Sequence, residues 1–347
     1  MPRAAITAVG HYLPPDRLTN ADLETMVDTN DEWIRSRTGI SERRILKGEG
    51  KATAYMATEA AKVLLNKRGL TGADIDLIIV GTTTPDMHCP ATASLVQQNL
   101  ESDAWGFDLV AACSGFLFAL STGAQFIESG KHKRVLVIGA DMMSSIIDYS
   151  DRNTCILFGD GAGAVLLEPS TDETGIMDSV EHSDGSGGDL LSIPGGGSLR
   201  PTRPDTVGLN QNYLQQDGRP VFKRAVVGMA EAAADVMERN SLSGKDVRFL
   251  VPHQANLRII SATASRMDIG MDKVMLNIDR FGNTTAATIP LCLAEWERDL
   301  RPGDNLVLAA FGGGFTWGAS YVKWSYDGSA MEHGPDERTP LDQMSGL

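Results

Sequence analysis

Two apolar patterns take turns along the chain: stretches with apolar residues three and four apart, and short uninterrupted apolar runs. The first spacing predicts helices with one buried face, the second strands buried on both faces. In "ATEAAKVLLNKRGLTGADIDLII" (57–79) the order is helix, glycine turn, then a strand over 77–80. The same order returns without a gap in "MAEAAADVMERNSLSGKDVRFLV" (229–251), ending in a strand over 249–251. Glu59, Ala60, Ala61, Leu70, Gly72 and Asp74 reappear 172 positions later as Glu231, Ala232, Ala233, Leu242, Gly244 and Asp246. A fainter echo links "GAQFIESGKHKRVLV" (123–137) to "LAEWERDLRPGDNLVL" (293–308), with Ala124 and Ala294 170 positions apart. One α/β unit is thus expected twice. Its alternation predicts parallel or mixed sheets covered by helices.

A duplication brings equivalent positions face to face. "FDLVAACSGFLFAL" (107–120) places Cys113 where an apolar strand turns into an apolar helix. The offset of 170 carries Cys113 onto Asn283, so both are expected to open equivalent helices at a central cleft. His253, in "LVPHQANLR", directly follows a predicted strand, and strand carboxyl ends are where such sheets carry their sites. Each residue has a plainer reading. A buried cysteine is often only packing, a lone histidine is often structural, and Asn283 suits a helix N-cap. The chemical reading is that the helix start lowers the Cys113 thiol's pKa and yields a thiolate.

The order Cys, His, Asn also fits papain-like proteases. The local sequence "AACSGF" lacks their C-G-[SA]-C-[WY] context, and an internal duplication has no place in that fold.

Composition narrows the setting. At 347 residues and 42% hydrophobic, two domains or two fused halves with a large core are expected. No apolar run reaches the roughly 18 residues of a membrane span. "MPRAAITAVGHYLPPD" meets Pro14 and Pro15 too early for a secretory signal. Cys89, Cys113, Cys155 and Cys292 are scattered without a CxxC, which argues against a disulfide scaffold or a structural zinc site and for a reduced, cytoplasmic setting. A net charge of −14 disfavours nucleic-acid and anionic-membrane partners. "FGDGAGAVLLE" (158–168) has the glycines of a phosphate cradle. It joins two apolar, β-like runs rather than a strand to a helix, so it reads as a structural turn. Residues 327–347 read as a polar tail.

Six motifs in order carry a resemblance: "DTNDEWIRSRTGISERR" (28–44), "ACSGFLFAL" (112–120), "DRNTCILFGDGAGAVLL" (151–167), "VPHQANLRII" (251–260), "FGNTTAAT" (281–288) and "AFGGGFTWG" (310–318). Over residues 1–326 the chain resembles the β-ketoacyl-acyl-carrier-protein synthase III family. The resemblance implies a thiolase-like α/β fold of two duplicated βαβαβ-type halves forming an αβαβα layered core. The halves would span 1–172 and 173–326, with the tail after them. The Gly/Pro-rich stretch 192–207 is longer than the family pattern, and neither it nor the tail is expected to touch the chemical motifs.

The resemblance implies an enzyme that starts type II fatty-acid synthesis by joining an acyl-CoA primer to malonyl-acyl-carrier protein with loss of CO2. No metal or cofactor is implied beyond the CoA thioester substrate. Cys113 would carry the acyl group, with His253 and Asn283 donating to the enolate formed on decarboxylation. Gly313 would share an oxyanion hole with Cys113, and Phe311 would keep the malonyl carboxylate poorly solvated. Trp33 and Arg152 would flank the CoA adenine, Arg37 would meet phosphate, and Gly218 and Asn256 would line the pantetheine arm. Arg258, Lys223 and Arg266 would form a basic rim for the acidic carrier protein. Cys89 would cross a homodimer interface to close the partner's acyl pocket, leaving it deeper than a bulky Phe would. A polyketide starter-unit synthase on the same fold and a cysteine thioester hydrolase are the other functions these residues admit.

Overall fold

The computed structural model describes residues 2–170, 172–331, 333 and 335–344. In chain order the strands are β1 (Arg3–Tyr12), β2 (Asp16–Thr19), β3 (Glu42–Ile45), β4 (Leu77–Gly81), β5 (Trp105–Leu109), β6 (Val135–Asp141), β7 (Gly161–Ser170), β8 (Gly175–Ser183), β9 (Leu191–Ser192), β10 (Gln215–Gln216), β11 (Phe249–Pro252), β12 (Asn305–Gly312) and β13 (Thr316–Lys323). The helices are α1 (Asn20–Glu24), α2 (Asp31–Thr38), α3 (Thr53–Arg68), α4 (Thr92–Asn99), α5 (Gly115–Glu128), α6 (Gly218–Arg239), α7 (Leu257–Arg266), α8 (Ile278–Phe281) and α9 (Thr288–Trp296).

One mixed sheet has the order β1-β7-β6-β4-β5 and the other β11-β12-β13-β8. Read from β8, the second repeats the first: two antiparallel pairings, β8 to β13 to β12, then a parallel one to β11. The counterpart of β5 shrinks to a single parallel bridge between Leu250 and Val274. The central strands β4 and β6 are buried along their whole length, which accounts for their unbroken apolar runs. Helices α5 and α9 pack between the two sheets, α3 and α4 cover the first, and α6 and α7 lie over the second. This is the αβαβα layering of the thiolase fold.

The identities in the repeat have physical causes. Asp74 accepts from the backbone N–H of Thr71 at 2.9 Å, and Asp246 from that of Ser243 at 2.8 Å, each closing the turn between helix and strand. A Cβ on Gly72 would lie 2.0 Å from the Leu100 carbonyl oxygen, and one on Gly244 2.3 Å from that of Asp268. Both turns press against backbone, so both need glycine.

Three expectations need correction. The run before "GDGAG" is a series of turns, not a strand; only Phe158 pairs, in an isolated bridge to Asn283. Asp160 in that segment is consumed by the fold, accepting from Leu46 N and Ser144 N. The described part of 327–347 is docked rather than loose, residues 332, 334 and 345–347 lying outside the described residues. Arg338 pairs with Asp299 and Asp336, Thr339 bonds Asp279, and Met344 is buried in the same core cluster as Ile34 and Ile278. Polar composition hid these few anchors. Finally, the two turns that face each other at the centre are related by 173 residues, not 170. Each opens on a left-handed residue, Ala112 (φ 47°) or Thr285 (φ 51°), and the helices follow at Gly115 and Thr288. Cys113 therefore matches Ala286, and Asn283 stands three residues upstream of that position. The 170 offset was read from the helix ends and following loops, and the two connections differ in length.

Candidate active site

A cavity of about 740 Å³ opens where the two facing turns meet the carboxyl ends of the strands, and Cys113, His253, Asn283, Phe311 and Gly313 all line it. Cys113 is the middle residue of the 3-10 turn Ala112–Ser114 that leads into α5. A Cβ on Gly312 would come within 2.6 Å of the Cys113 backbone nitrogen, so the Gly312 backbone passes closely against the turn that carries Cys113. Thr316 fastens the two backbones: its hydroxyl is 2.8 Å from the Ala111 carbonyl and 3.1 Å from that of Gly313. Ser114 Oγ donates back to the Thr316 carbonyl at 3.0 Å. These bonds tie the turn that carries Cys113 to the chain that follows β12.

The thiol itself departs from expectation. Burial and the nearby Asp141 charge push Cys113 up to about 12, outweighing the backbone N–H that pulls it down. The helix start stabilises a thiolate only where solvent or a ligand offsets desolvation. In the free protein Cys113 is a neutral thiol.

His253 follows β11, its N–H donating to the Ala309 carbonyl at 2.8 Å on the neighbouring strand. Burial lowers its pKa to about 3, so the ring is neutral. Its Nδ1 lies 2.8 Å from Thr288 Oγ1, which is also 2.9 Å from the Thr285 carbonyl. One hydroxyl proton faces two acceptors. Given to Nδ1, it leaves Nε2 as an N–H donor; given to the carbonyl, it leaves Nε2 a lone pair. Asn283 Oδ1 accepts the Thr285 N–H at 2.8 Å. That bond orients the amide and leaves Nδ2, which has no hydrogen-bond partner among the described residues, available as a donor.

The other candidates fall into groups. Gly218 and Asn256 line the cavity. Asn256 also caps α7, accepting from Arg258 N at 2.9 Å, and donates to the Arg37 carbonyl at 2.9 Å, so it ties α7 to α2. Trp33, Arg37 and Arg152 cluster outside the cavity. The Arg152 guanidinium lies 4.3 Å from the Trp33 ring centre, with Arg37 5.5 Å from it. Arg152 sits directly on the indole, so a base enters between them only once Arg152 swings away. Arg258 and Lys223 are exposed, Arg258 over the ring of Phe222, which itself lines the cavity. Arg266 is exposed two turns further along α7. Cys89 is exposed and outside this chain's own cavity, whereas His88 lines it.

The structure corrects one expectation here and adds partners. The stretch 192–207 is not remote: Leu191, Ser192 and Ile193 at its base line the cavity with Leu214 and Gln216, joined by the β9–β10 pairing. Thr285, Thr288 and Thr316 are partners that single-residue reasoning misses; their signal is their place inside "FGNTTAAT" and "AFGGGFTWG". Asp141 carried no sequence signal at all. Among the described residues no group of three or more His, Cys, Asp or Glu side chains is placed to hold a metal ion, and no helix is long and apolar enough to cross a membrane.

Comparison with known proteins gives one consistent result. Family models described as 3-oxoacyl-[acyl-carrier-protein (ACP)] synthase III and its C-terminal part match residues 107–185 and 237–324. The chain is 60% identical over 326 residues to a β-ketoacyl-[acyl-carrier-protein] synthase III of Chlorobium phaeovibrioides, an alignment covering 92% of this chain and 99% of the relative. The crystal structure of 3-oxoacyl-[acyl-carrier-protein] synthase III from Aquifex aeolicus superposes with a TM-score of 0.85 at 43% identity, over 92% of this chain and 100% of that one. The priming β-ketosynthase of the R1128 polyketide pathway has the same TM-score at 33% identity, over 93% and 97%.

Proposed function

The chain belongs to the β-ketoacyl-acyl-carrier-protein synthase III family, and from that premise we propose how its own residues divide the reaction. The enzyme is an acyltransferase of the condensing class that initiates fatty-acid synthesis from an acyl-CoA and malonyl-acyl-carrier protein. Cys113 Sγ attacks the acyl-CoA carbonyl, and the oxyanion is held by the N–H groups of Cys113 and Gly313. The C–S bond to CoA breaks, and CoA leaves as a thiol with the proton that Cys113 loses. The malonyl thioester then enters and its carboxylate departs as CO2. The bonding pair moves onto the thioester oxygen, which takes hydrogen bonds from Asn283 Nδ2 and His253 Nε2. That enolate carbon bonds to the acyl-Cys113 carbonyl, the C–S bond to Cys113 breaks to give the 3-oxoacyl thioester, and the thiolate released takes a proton from solvent.

The observation that carries this reading is the Asn283 amide, which lines the cavity with its oxygen taken by the Thr285 N–H and its NH2 group left without a partner among the described residues. A neutral donor suits an enolate, and an ionised carboxylate, which only accepts, would not. Phe311, packed on Phe315 at 5.1 Å, gives the carboxylate an apolar wall. Trp33, Arg152 and Arg37 take the CoA nucleotide, Gly218 and Asn256 border its pantetheine arm, and Arg258, Lys223 and Arg266 receive the carrier protein. We assign the catalytic halves to 1–172 and 173–326. The assembly we favour is a homodimer in which Cys89 of each chain borders the acyl pocket of the other. A small thiol there leaves room for primers longer than acetyl, each added buried CH2 contributing roughly 0.8 kcal/mol.

Intact-mass measurement after incubation with a series of acyl-CoAs tests the assignment. One acyl group is expected on the wild type, none on Cys113→Ala, with short branched primers loading beside acetyl. An adduct that persists in Cys113→Ala removes it as the nucleophile.

A further inference from the structure

Asp141 ends β6 behind the site, wholly buried and with no salt bridge among the described residues. A buried carboxylate without a cation is costly unless hydrogen bonds satisfy both oxygens. Here they do. Oδ1 accepts from the backbone N–H groups of Thr83 and Thr84 at 2.8 and 3.1 Å and from the hydroxyls of Thr82, Thr83 and Thr84 at 3.0 to 3.1 Å. Oδ2 accepts from the Thr285 hydroxyl and, at 3.2 Å, from Ala286 N. The first group lies on the chain leading to Cys89, in the amino-terminal half. The second is the turn that carries Asn283 towards α9.

Thr285 is the point where these bonds meet the chemistry. Its N–H holds Asn283 Oδ1, and its carbonyl lies 2.9 Å from the Thr288 hydroxyl that serves His253 Nδ1. It does this from a left-handed backbone (φ 51°), a conformation rarely held by a residue with a β-branched side chain unless its surroundings impose it. Asp141 supplies that imposition at both the Thr285 hydroxyl and the next N–H.

We propose that Asp141 is the positioning residue of the decarboxylation step, acting through Thr285 to aim the Asn283 amide. This rests on the donor roles given above to Asn283 and His253. It explains a cost in the site: a buried anion close to Cys113 opposes thiolate formation, yet it organises the opposite turn. The amide of Asp141→Asn cannot replace it, because its NH2 group would face hydroxyl and N–H donors on whichever side it lay.

The test separates loading from CO2 release, each measured on the full chain. Asp141→Asn is expected to accept acetyl from acetyl-CoA at no less than a third of the wild-type rate. Its kcat for CO2 release from malonyl carrier should fall by about 10- to 100-fold, as when an outer partner of a reacting group is lost, with KM changed less than threefold. Thr285→Val should show the same split, and Thr285→Ser, which keeps the hydroxyl, should restore most of the lost rate. If Asp141→Asn does not fold, the Thr285 pair decides alone. Loading and CO2 release that fall together, or a Thr285→Val that releases CO2 at the wild-type rate, overturn the proposal. A wild type that loads but releases no CO2 overturns the donor assignment beneath it.

Discussion

The two turns at the centre of the molecule share a backbone and differ in where they put their chemistry. In the amino-terminal half the 3-10 turn itself carries the proposed nucleophile, Cys113, against Gly312 at the end of β12. In the carboxyl-terminal half the matching position is Ala286, and the proposed donor, Asn283, stands three residues upstream, its amide held by the turn it precedes. A nucleophile benefits from the turn's N–H groups, because its product oxyanion forms there. A hydrogen-bond donor needs a fixed side-chain orientation, which one backbone bond to its oxygen provides. On the proposed assignment, one duplicated scaffold supports a covalent step on one side and charge stabilisation on the other.

If that division is right, the turns can be damaged one at a time. The largest effect is expected for Asn283→Ala, which should still be acylated while CO2 release from malonyl carrier falls by about 100-fold or more, the loss typical of one oxyanion donor. Equal losses in both steps would erase the distinction between the turns.

How much of this could be read from the chain depends on the kind of signal. The repeat was legible because Gly72, Asp74, Gly244 and Asp246 do a local job that any copy must keep. Cys113, His253 and Asn283 were legible from their motifs, and the cavity brings them together. The exact pairing of the turns was not, because a shift of three residues arises in connecting loops where side-chain pattern is weak. Nor was the thiol's true state, since desolvation and Asp141 are set by packing across sequence distances no local pattern records. The docking of residues 335–344 was hidden for the same reason, a few anchors in a polar background.

The neutral histidine sharpens the comparison through pH. Its pKa is lowered from 6.5 to about 3 in the folded chain. Below pH 6.5 the unfolded ring takes a proton that the folded ring refuses. The stability it contributes is complete above that pH and lost as pH falls towards 3, by about 2 kcal/mol at pH 5. His11, whose pKa desolvation and the Lys67 charge lower to about 4, adds a loss common to both proteins. Urea unfolding at pH 7.5 and 5 should therefore show the wild type losing about 2 kcal/mol more than His253→Gln; an equal loss in both would mean the ring is not held neutral by burial.

The smallest effect concerns the cavity mouth rather than either turn. Arg258→Glu should raise the KM for malonyl carrier by roughly three- to tenfold at low salt, less at high salt, because an exposed charge acts mainly on encounter. Acyl loading from CoA should be unaffected. A KM that does not move would take Arg258 out of the docking rim.

The division of labour between the turns is tested most directly by CO2 release from malonyl carrier in Cys113→Ala. That variant keeps His253, Asn283 and the Thr285 turn and lacks only the acyl acceptor. It is expected to form no acyl adduct and no condensation product, yet to release CO2 within about tenfold of the wild-type rate, an allowance set by a single lost side chain outside the donor pair. Release that vanishes along with the thiol would contradict the account, because the two turns would then act as one inseparable unit.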